Sequence, residues 1–367
     1  MNAAMVDMPD RLAWLFGSNL TPPDGSLADE AVLDEAWALL SDNWQVIPLT
    51  GPRLLAWASP KLGQSPSAIA LRDRMASVVN FARVQLKVCE RFIHALHAAG
   101  VPYALLKGSA VRFTAYADPT DRCGKDIDLL TPRRYLGLAQ QVAGDIGFVA
   151  SQWNPEMKRF HRADPVRRAE VEAEHYELGF LVRRQVVDGL LSEDEAAIRR
   201  DMPSHYLWHE ANDGRLACYV STDIHHALSL DLPAEDLFHT VRTVRTEAGA
   251  ISVPSPAWFT LHVIFKLYWE GVHTYKKGLY QYTDLLLHMR LMSERDQREL
   301  LELLAEHQLE VAAYYVLRRL ETDLGETFPD ILVEFLEQQA FTPQGEEVDA
   351  RALNDMGDMW PKLWGYR

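Results

Sequence analysis

The chain has 367 residues, 48% hydrophobic and 24% charged, a balance typical of a folded protein long enough for two or three domains. Lys and Arg number 37 against 52 Asp and Glu, and the formal charge of −15 argues against a dedicated nucleic-acid binder, whose footprint is basic. Three scattered cysteines (Cys89, Cys123, Cys218) exclude a disulfide framework and a cysteine zinc site, and no basic leader or apolar run of roughly 18 residues is seen, so a cytoplasmic protein without a membrane partner is expected.

Residues 1–100 read as a helical segment that packs on the domain after it. Leu33, Ala36, Trp37 and Leu40 share one helical face. A long helix is predicted from about Ser67 to Ala99. Its apolar stripe is Leu71, Met75, Val78, Val79, Ala82, Leu86, Cys89, Phe92, Ile93 and Leu96, with Arg72, Arg74, Lys87, Glu90 and Arg91 mostly off it. Gly100 is placed to end that helix in a left-handed conformation.

Residues 101–255 read as an α/β core. Val101–Leu106 is a short buried strand, Lys107-Gly108-Ser109 a turn, and Ala110–Tyr116 a helix. Asp126–Leu130 is a strand, followed by an amphipathic helix over Arg133–Ile146 with Tyr135, Leu138, Val142 and Ile146 inward. Gly147-Phe148-Val149 starts another extended piece, Ala169–Tyr176 alternates like a strand, and 183–214 reads as a charged, irregular insertion. Leu216–Ile224 is β-rich after the turn Asn212-Asp213-Gly214, and Ile251–Pro254 is the last strand signal. From Pro256 to the C-terminus the chain is helical, with Trp360 and Trp364 in its tail. The fold class is therefore α+β: a small mixed β-sheet flanked by helices, a helical N-terminal lead-in and a helical C-terminal domain over 256–367.

Asp126 and Asp128 stand at i and i+2 of a strand, so their carboxylates share one face while Ile127 and Leu129 turn to the core. Mg²⁺ takes hard oxygen ligands such as paired carboxylates and phosphates, and two such ions support in-line transfer at phosphorus. Gly108 lets a backbone approach phosphate oxygens, Ser109 stands at a helix N-terminus that favours an anion, and Lys107 and Arg122 supply cations for a triphosphate. Each signal is common by chance; their order in a strand–turn–helix–strand context makes them a candidate site for a nucleoside triphosphate and its metals.

Leu106-Lys107-Gly108-Ser109, then Asp121-Arg122, then Asp126-Ile127-Asp128-Leu129-Leu130 resembles the DNA-polymerase-β-like nucleotidyltransferase superfamily. The match is closest to its bacterial branch of uncharacterised nucleotidyltransferases, with an LKG, R and DxDLL signature. Thr222-Asp223-Ile224-His225, Val253-Pro254-Ser255-Pro256 and the helix carrying Asp284 extend the likeness loosely over about 65–292. The stretch between Ser109 and Asp126 is longer than the superfamily's usual gap. The resemblance implies an Mg²⁺-dependent enzyme, using two ions with Mn²⁺ as a substitute. It would move an NMP from an NTP, such as ATP, to an acceptor and release pyrophosphate.

In that reading Asp126, Asp128 and a third carboxylate bind metal. Asp223, at the end of an apolar strand, is preferred over Glu174, and Glu174 remains the rival. His225 shares the strand face of Asp223 and is an accessory or acceptor-side candidate, as is Asp284. His273–Lys277 and the basic residues Lys158, Arg159, Arg162, Arg167 and Arg168 are as readily ordinary exposed loops, and His161 and His205 lack ligand spacing. The acidic balance favours a small-molecule, peptide or protein acceptor over a long nucleic acid. A toxin-like enzyme that modifies tRNA ends and a non-catalytic module that kept the fold are the two alternatives.

Overall fold

The computed structural model describes residues 12, 14–17, 27–154, 156, 159–166, 169, 172, 175–204, 207–229, 232, 234–246, 249–269, 278–324 and 326–339. Two compact units result: residues 1–69 together with 256–367, and residues 70–255. Among the described residues no helix is long and apolar enough to cross a membrane.

The first unit is helical. Helix α1 (Glu30–Asp42) is capped by Asp29, whose carboxylate accepts from the Ala31 N–H. It packs on α2 (Ile47–Trp57). Downstream, α7 (Pro256–Trp269) packs on α8 (Leu279–Met289), α9 (Glu294–Glu306) and α10 (Glu310–Leu324), and α11 (Asp330–Gln339) covers the last two. Helix α9 opens with a reciprocal capping box between Ser293 and Asp296 and buries Leu300, Leu303 and Leu304 at helical spacing. The two ends of the chain meet in this unit because polar side chains tie them: Thr283 Oγ1 donates to the Phe16 carbonyl at 3.1 Å, and the Tyr280 N–H to Asn43 Oδ1 at 3.4 Å. Such long-range ties leave no periodic trace in a sequence, which is why the N-terminal helices read as part of a lead-in.

Helix α3 (Pro66–Ala98) crosses from one unit to the other and from Ala70 onward belongs to the sheet unit. It ends as its glycine predicts: Gly100 has φ 68 and the Val101 N–H bonds the Leu96 carbonyl. The buried face includes polar residues, Asp73, Arg74, Ser77, Asn80 and Gln85, whereas Leu86 is only half-buried.

The sheet has seven strands. Six run in the order β1 (Ala104–Leu105), β2 (Ile127–Leu130), β7 (Leu216–His225), β5 (Leu181–Val186), β3 (Val149–Asn154) and β4 (Arg159–Arg162). The seventh, β6 (Trp208–Glu210), pairs with the start of β7. Among these pairings only β2–β7 is parallel. A ribbon of β8 (Arg242–Thr246) and β9 (Gly249–Val253) packs on β1 and on α4 (Lys107–Thr114).

Helix α5 (Leu136–Asp145) buries Ala139, Val142 and Ala143, while Leu138 is 38% exposed, so the inward face is rotated from the one its larger side chains suggested. Small residues face the sheet because they allow the helix to approach it closely. The stretch 183–214 is not irregular. It holds most of β5, helix α6 (Ser192–Asp201) and β6, and α6 is polar because acids fill its first turn and Arg199 and Arg200 its last, matching the helix dipole. Within 169–176, expected to be extended, Ala169 and Glu172 are helical and His175 and Tyr176 form a bend; Glu170, Val171, Ala173 and Glu174 lie outside the described residues, as do His205, 273–277 and the tryptophan tail.

Arg74 on α3 pairs with Asp201 at the end of α6, Nε to Oδ1 at 2.7 Å, with both side chains 3% exposed. A buried ion pair adds little net stability, but removing one partner strands the other charge at a cost of about 3–5 kcal/mol. Arg74→Ala is expected to lower the urea midpoint sharply. The neighbouring pair, Arg200 with Asp73, has an exposed guanidinium, so Arg200→Ala should shift the midpoint far less. Equal midpoints for the two variants would refute this ranking.

Candidate active site

Strand β2 runs Ile-Asp-Leu-Leu, and the end of β7 runs Thr-Asp-Ile-His. Their parallel register sets Ile127 opposite Thr222, Asp128 opposite Asp223, and Leu130 opposite His225. Alternation then places Asp128, Asp223 and His225 on one face and Ile127, Leu129, Thr222 and Ile224 on the other. All are buried. One ligand atom from each of Asp128, Asp223 and His225 lies within 4.8 Å of the others. Asp126, in the bend just before β2, stands close to Asp223 but is not one of the three converging residues.

The residues before β2 are built to hold it. Lys107 Nζ donates to Asp128 Oδ1 at 2.7 Å, with its side chain 29% exposed. Its backbone sits at φ 47, a left-handed conformation that a non-glycine residue rarely adopts. Ser109 is buried. Its hydroxyl accepts from the Asp128 N–H at 3.0 Å and lies 3.4 Å from the Asp126 carbonyl, to which it donates. A Cβ on Gly108 would stand 2.8 Å from Arg122 Nη2, so the missing side chain makes room for that guanidinium. Arg122 itself is buried and donates to the Cys123 carbonyl. Lys107, Gly108, Ser109 and Arg122 therefore all touch the strand bearing the carboxylates or its approach.

Gln85 and Arg112 also belong to this structure, and their roles were not foreseen. Gln85 Nε2 donates to the carbonyls of Gly124 (3.0 Å) and Asp126 (3.4 Å), while its Oε1 accepts from the Gly124 N–H (3.2 Å) and Arg112 Nη1 (2.8 Å). The signal was present: Gln85 interrupts the apolar stripe of α3 at a stripe position. Glu177 was also missed. It forms a bridge with His225 in the backbone, its Oε2 lies 3.3 Å from His225 Nδ1, and the Tyr176 ring stacks on the imidazole.

The electrostatics follow from crowding buried carboxylates. Burial and the Asp128 charge push Asp126 up to about 7, against an ordinary 3.8. Asp223 moves well upward for the same reasons, burial first and then Asp126, Asp128 and Glu177. Burial acts on Asp128 in that direction too, but Lys107 and His225 outweigh it and hold the carboxyl below its usual range. Burial disfavours the Lys107 ammonium, yet Asp128, Asp126 and Asp223 hold its pKa above the ordinary value. The three cysteines are buried and free, and burial pushes the Cys89 and Cys123 thiols up to about 12, so they are inert at neutral pH.

A divalent cation fits this donor set. Asp223 Oδ1 is buried with no hydrogen-bond partner, and such an atom calls for a cation or proton. Of the remaining candidates, Arg159, His161 and Arg162 lie on β4, mostly exposed, while Lys158, Arg167, Arg168 and Glu174 lie outside the described residues. Asp284 is buried on α8 in the helical unit.

Residues 42–324 match the sequence profile of a family described as uncharacterised nucleotidyltransferase. Among solved structures, the crystal structure of an antigenic nucleotidyltransferase-like protein from Paracoccidioides brasiliensis is similar at 13% identity, covering 62% of this chain and 91% of that one with a TM-score of 0.32. No curated protein matches at a significant level.

Between pH 3.8 and about 7 the folded chain keeps a proton on Asp126 that the unfolded chain has lost. The stability Asp126 contributes is thus present below pH 4 and drains away as pH rises to about 7. Asp128, shifted the other way, acts only at more acid pH. Asp126→Asn should raise Tm at pH 7.5 by about 2–4 °C, the shift produced by roughly 1 kcal/mol in a unit of this size, and leave it unchanged near pH 4. Thermal unfolding in metal-free buffer measures this; a lower Tm at pH 7.5 contradicts the stated cause.

Proposed function

The chain belongs to the uncharacterised nucleotidyltransferase family, and from that premise we propose that it is an Mg²⁺-dependent enzyme moving an NMP from an NTP to a hydroxyl of an acceptor. The observation that carries this reading is the convergence of Asp128, Asp223 and His225, with Asp126 close to Asp223, beside the cation Lys107. The acceptor oxygen bonds to the α-phosphorus, the bond from that phosphorus to the oxygen bridging to the β-phosphate breaks, and pyrophosphate leaves.

Asp126, Asp128 and Asp223 would hold the metal. Bound there, Mg²⁺ offsets charge on the triphosphate and lowers the pKa of the attacking hydroxyl. The chain's own residues do the rest. Lys107, already charged and partly open to solvent, exchanges Asp128 for a phosphate oxygen when substrate arrives. Asp126, beside Asp223 at the edge of the carboxylate group, is placed to accept the hydroxyl proton. Ser109 and Gln85 fix the backbone of 124–128, so the carboxylates need not reorganise during the reaction. Arg122 supports Gly108 and with it the start of α4, where backbone N–H groups face an anion. A small-molecule, peptide or protein acceptor accords with the acidic chain.

The test offers each NTP with Mg²⁺ and candidate acceptors and follows pyrophosphate. Wild type should release it, and Asp126→Asn and Asp223→Asn should each lose more than about a hundredfold in kcat/KM, beyond the loss typical of residues that only support a metal ligand. If wild type binds no NTP with any divalent metal, the reading fails.

A further inference from the structure

His225 is 1% exposed and presents both ring nitrogens to carboxylates. Nε2 lies in hydrogen-bond geometry 3.2 Å from Asp128 Oδ1, while Nδ1 lies 3.3 Å from Glu177 Oε2 without making a hydrogen bond. A neutral imidazole has one N–H and one lone pair, so it can donate to only one of the two. The other nitrogen then points a lone pair at a carboxylate oxygen, and Asp128 Oδ1 already accepts from Lys107 Nζ. A cation among Asp128, Asp223 and His225 removes this conflict: Nδ1–H donates to Glu177, and the Nε2 lone pair meets the metal.

The surroundings hold the ring for that purpose. The Leu178 N–H bonds the Ile224 carbonyl at 2.8 Å and the His226 N–H bonds the Tyr176 carbonyl at 2.9 Å, so the segment carrying Glu177 is paired to the end of β7. The Tyr176 ring stacks on His225 with centroids 5.7 Å apart and 20° between planes. Across the ring, Asp223 Oδ1 has no partner. A histidine that binds metal through one nitrogen almost always donates its other N–H to a carboxylate, carbonyl or water.

We propose that Glu177 is a positioning residue that presents His225 Nε2 as a nitrogen ligand beside Asp128 and Asp223, giving a mixed oxygen–nitrogen metal position that takes Mn²⁺ in preference to Mg²⁺. The inference rests on the metal-dependent reading above and moves His225 from the acceptor side to the metal. Mg²⁺ holds to carboxylate, phosphate and water oxygens, whereas Mn²⁺, of the same charge but less strictly an oxygen binder, also accepts an imidazole nitrogen.

Pulsed EPR of the full-length protein with Mn²⁺ reads the ligand directly. Wild type should show nitrogen hyperfine coupling and bind Mn²⁺ at least about tenfold more tightly than Mg²⁺. His225→Gln should lose the coupling. Glu177→Ala should weaken Mn²⁺ binding about 10–100-fold, and Glu177→Gln, whose amide oxygen still accepts from Nδ1–H, should recover most of it. A Glu177 that merely supports the fold would change Tm in both variants and leave Mn²⁺ affinity alone, which overturns the proposal. Pyrophosphate release with Mn²⁺ but without nitrogen coupling overturns the ligand assignment and leaves the reaction standing. Nitrogen coupling without turnover of any NTP supports the assignment and overturns the reaction.

Discussion

The parallel register between β2 and β7 is the constraint on which the site depends. It sets Asp128 directly opposite Asp223 in a buried position. Two carboxylates roughly 5 Å apart, the spacing of neighbouring strands, repel by about 3 kcal/mol at an effective dielectric of about 20. No antiparallel hairpin accounts for the pair. β2 and β7 are separated by α5, β3, β4, β5, α6 and β6, and the chain must return to lay β7 beside β2. The sheet is thus arranged to make a locally unfavourable contact, and its flanking residues limit the cost. Lys107 keeps Asp128 charged, while Asp126 and Asp223 relieve the crowding by favouring the protonated form.

How much of this was legible in the sequence differs by residue. Asp128 could be read because strand alternation is local, whereas Asp126 lies in a bend before β2, so the shared strand face expected for the pair is not what brings it near the site. The end of α3 at Gly100 was equally local. The apolar run of β7 marked a strand, but not that it would pair parallel to β2, because pairing partners are set by the whole sheet. Gln85 stands on the apolar stripe of α3, and that interruption was readable as a tertiary bond without a named partner, whereas Arg74, expected mostly off the stripe, is buried by its pairing with Asp201. The grouping of 1–69 with 256–367 was not readable, since it rests on contacts such as Thr283 with Phe16 that no short window spans. The rotated face of α5 shows a general weakness of pattern reading: large apolar residues were taken as inward, and the sheet accepted Ala139 and Ala143 instead.

The family match and the geometry meet at different levels. The profile match covers 42–324 and therefore includes parts of both units, whereas the convergent carboxylates all belong to the sheet unit. Membership names a reaction class; it does not explain why these residue types stand at these positions. The physical reasons come from the strands: apolar residues on the core side make β2 and β7 central, and centrality is what buries the acids on the opposite side and raises their affinity for a cation. An exposed Asp-x-Asp would bind metal weakly because water would compete for its oxygens.

The stretch Lys107-Gly108-Ser109 also takes on a more specific meaning. As sequence it suggested three groups reaching for phosphate. In the fold each serves the strand beside it: Lys107 pairs with Asp128, Gly108 clears space for Arg122, and Ser109 bonds the Asp128 backbone. Three consecutive residues can do this because the chain turns from extended at Leu106 into α4 at Lys107, so successive side chains fan out by about 100° each. The left-handed φ of Lys107 is the local strain of that turn, offset by the ion pair it allows. On the proposed reading, a triphosphate entering here would meet a lysine already aligned with Asp128. Phosphate and metal would then bind together on that reading: a cation held by Asp128 would free Lys107 for the phosphate, and each would lower the cost of the other.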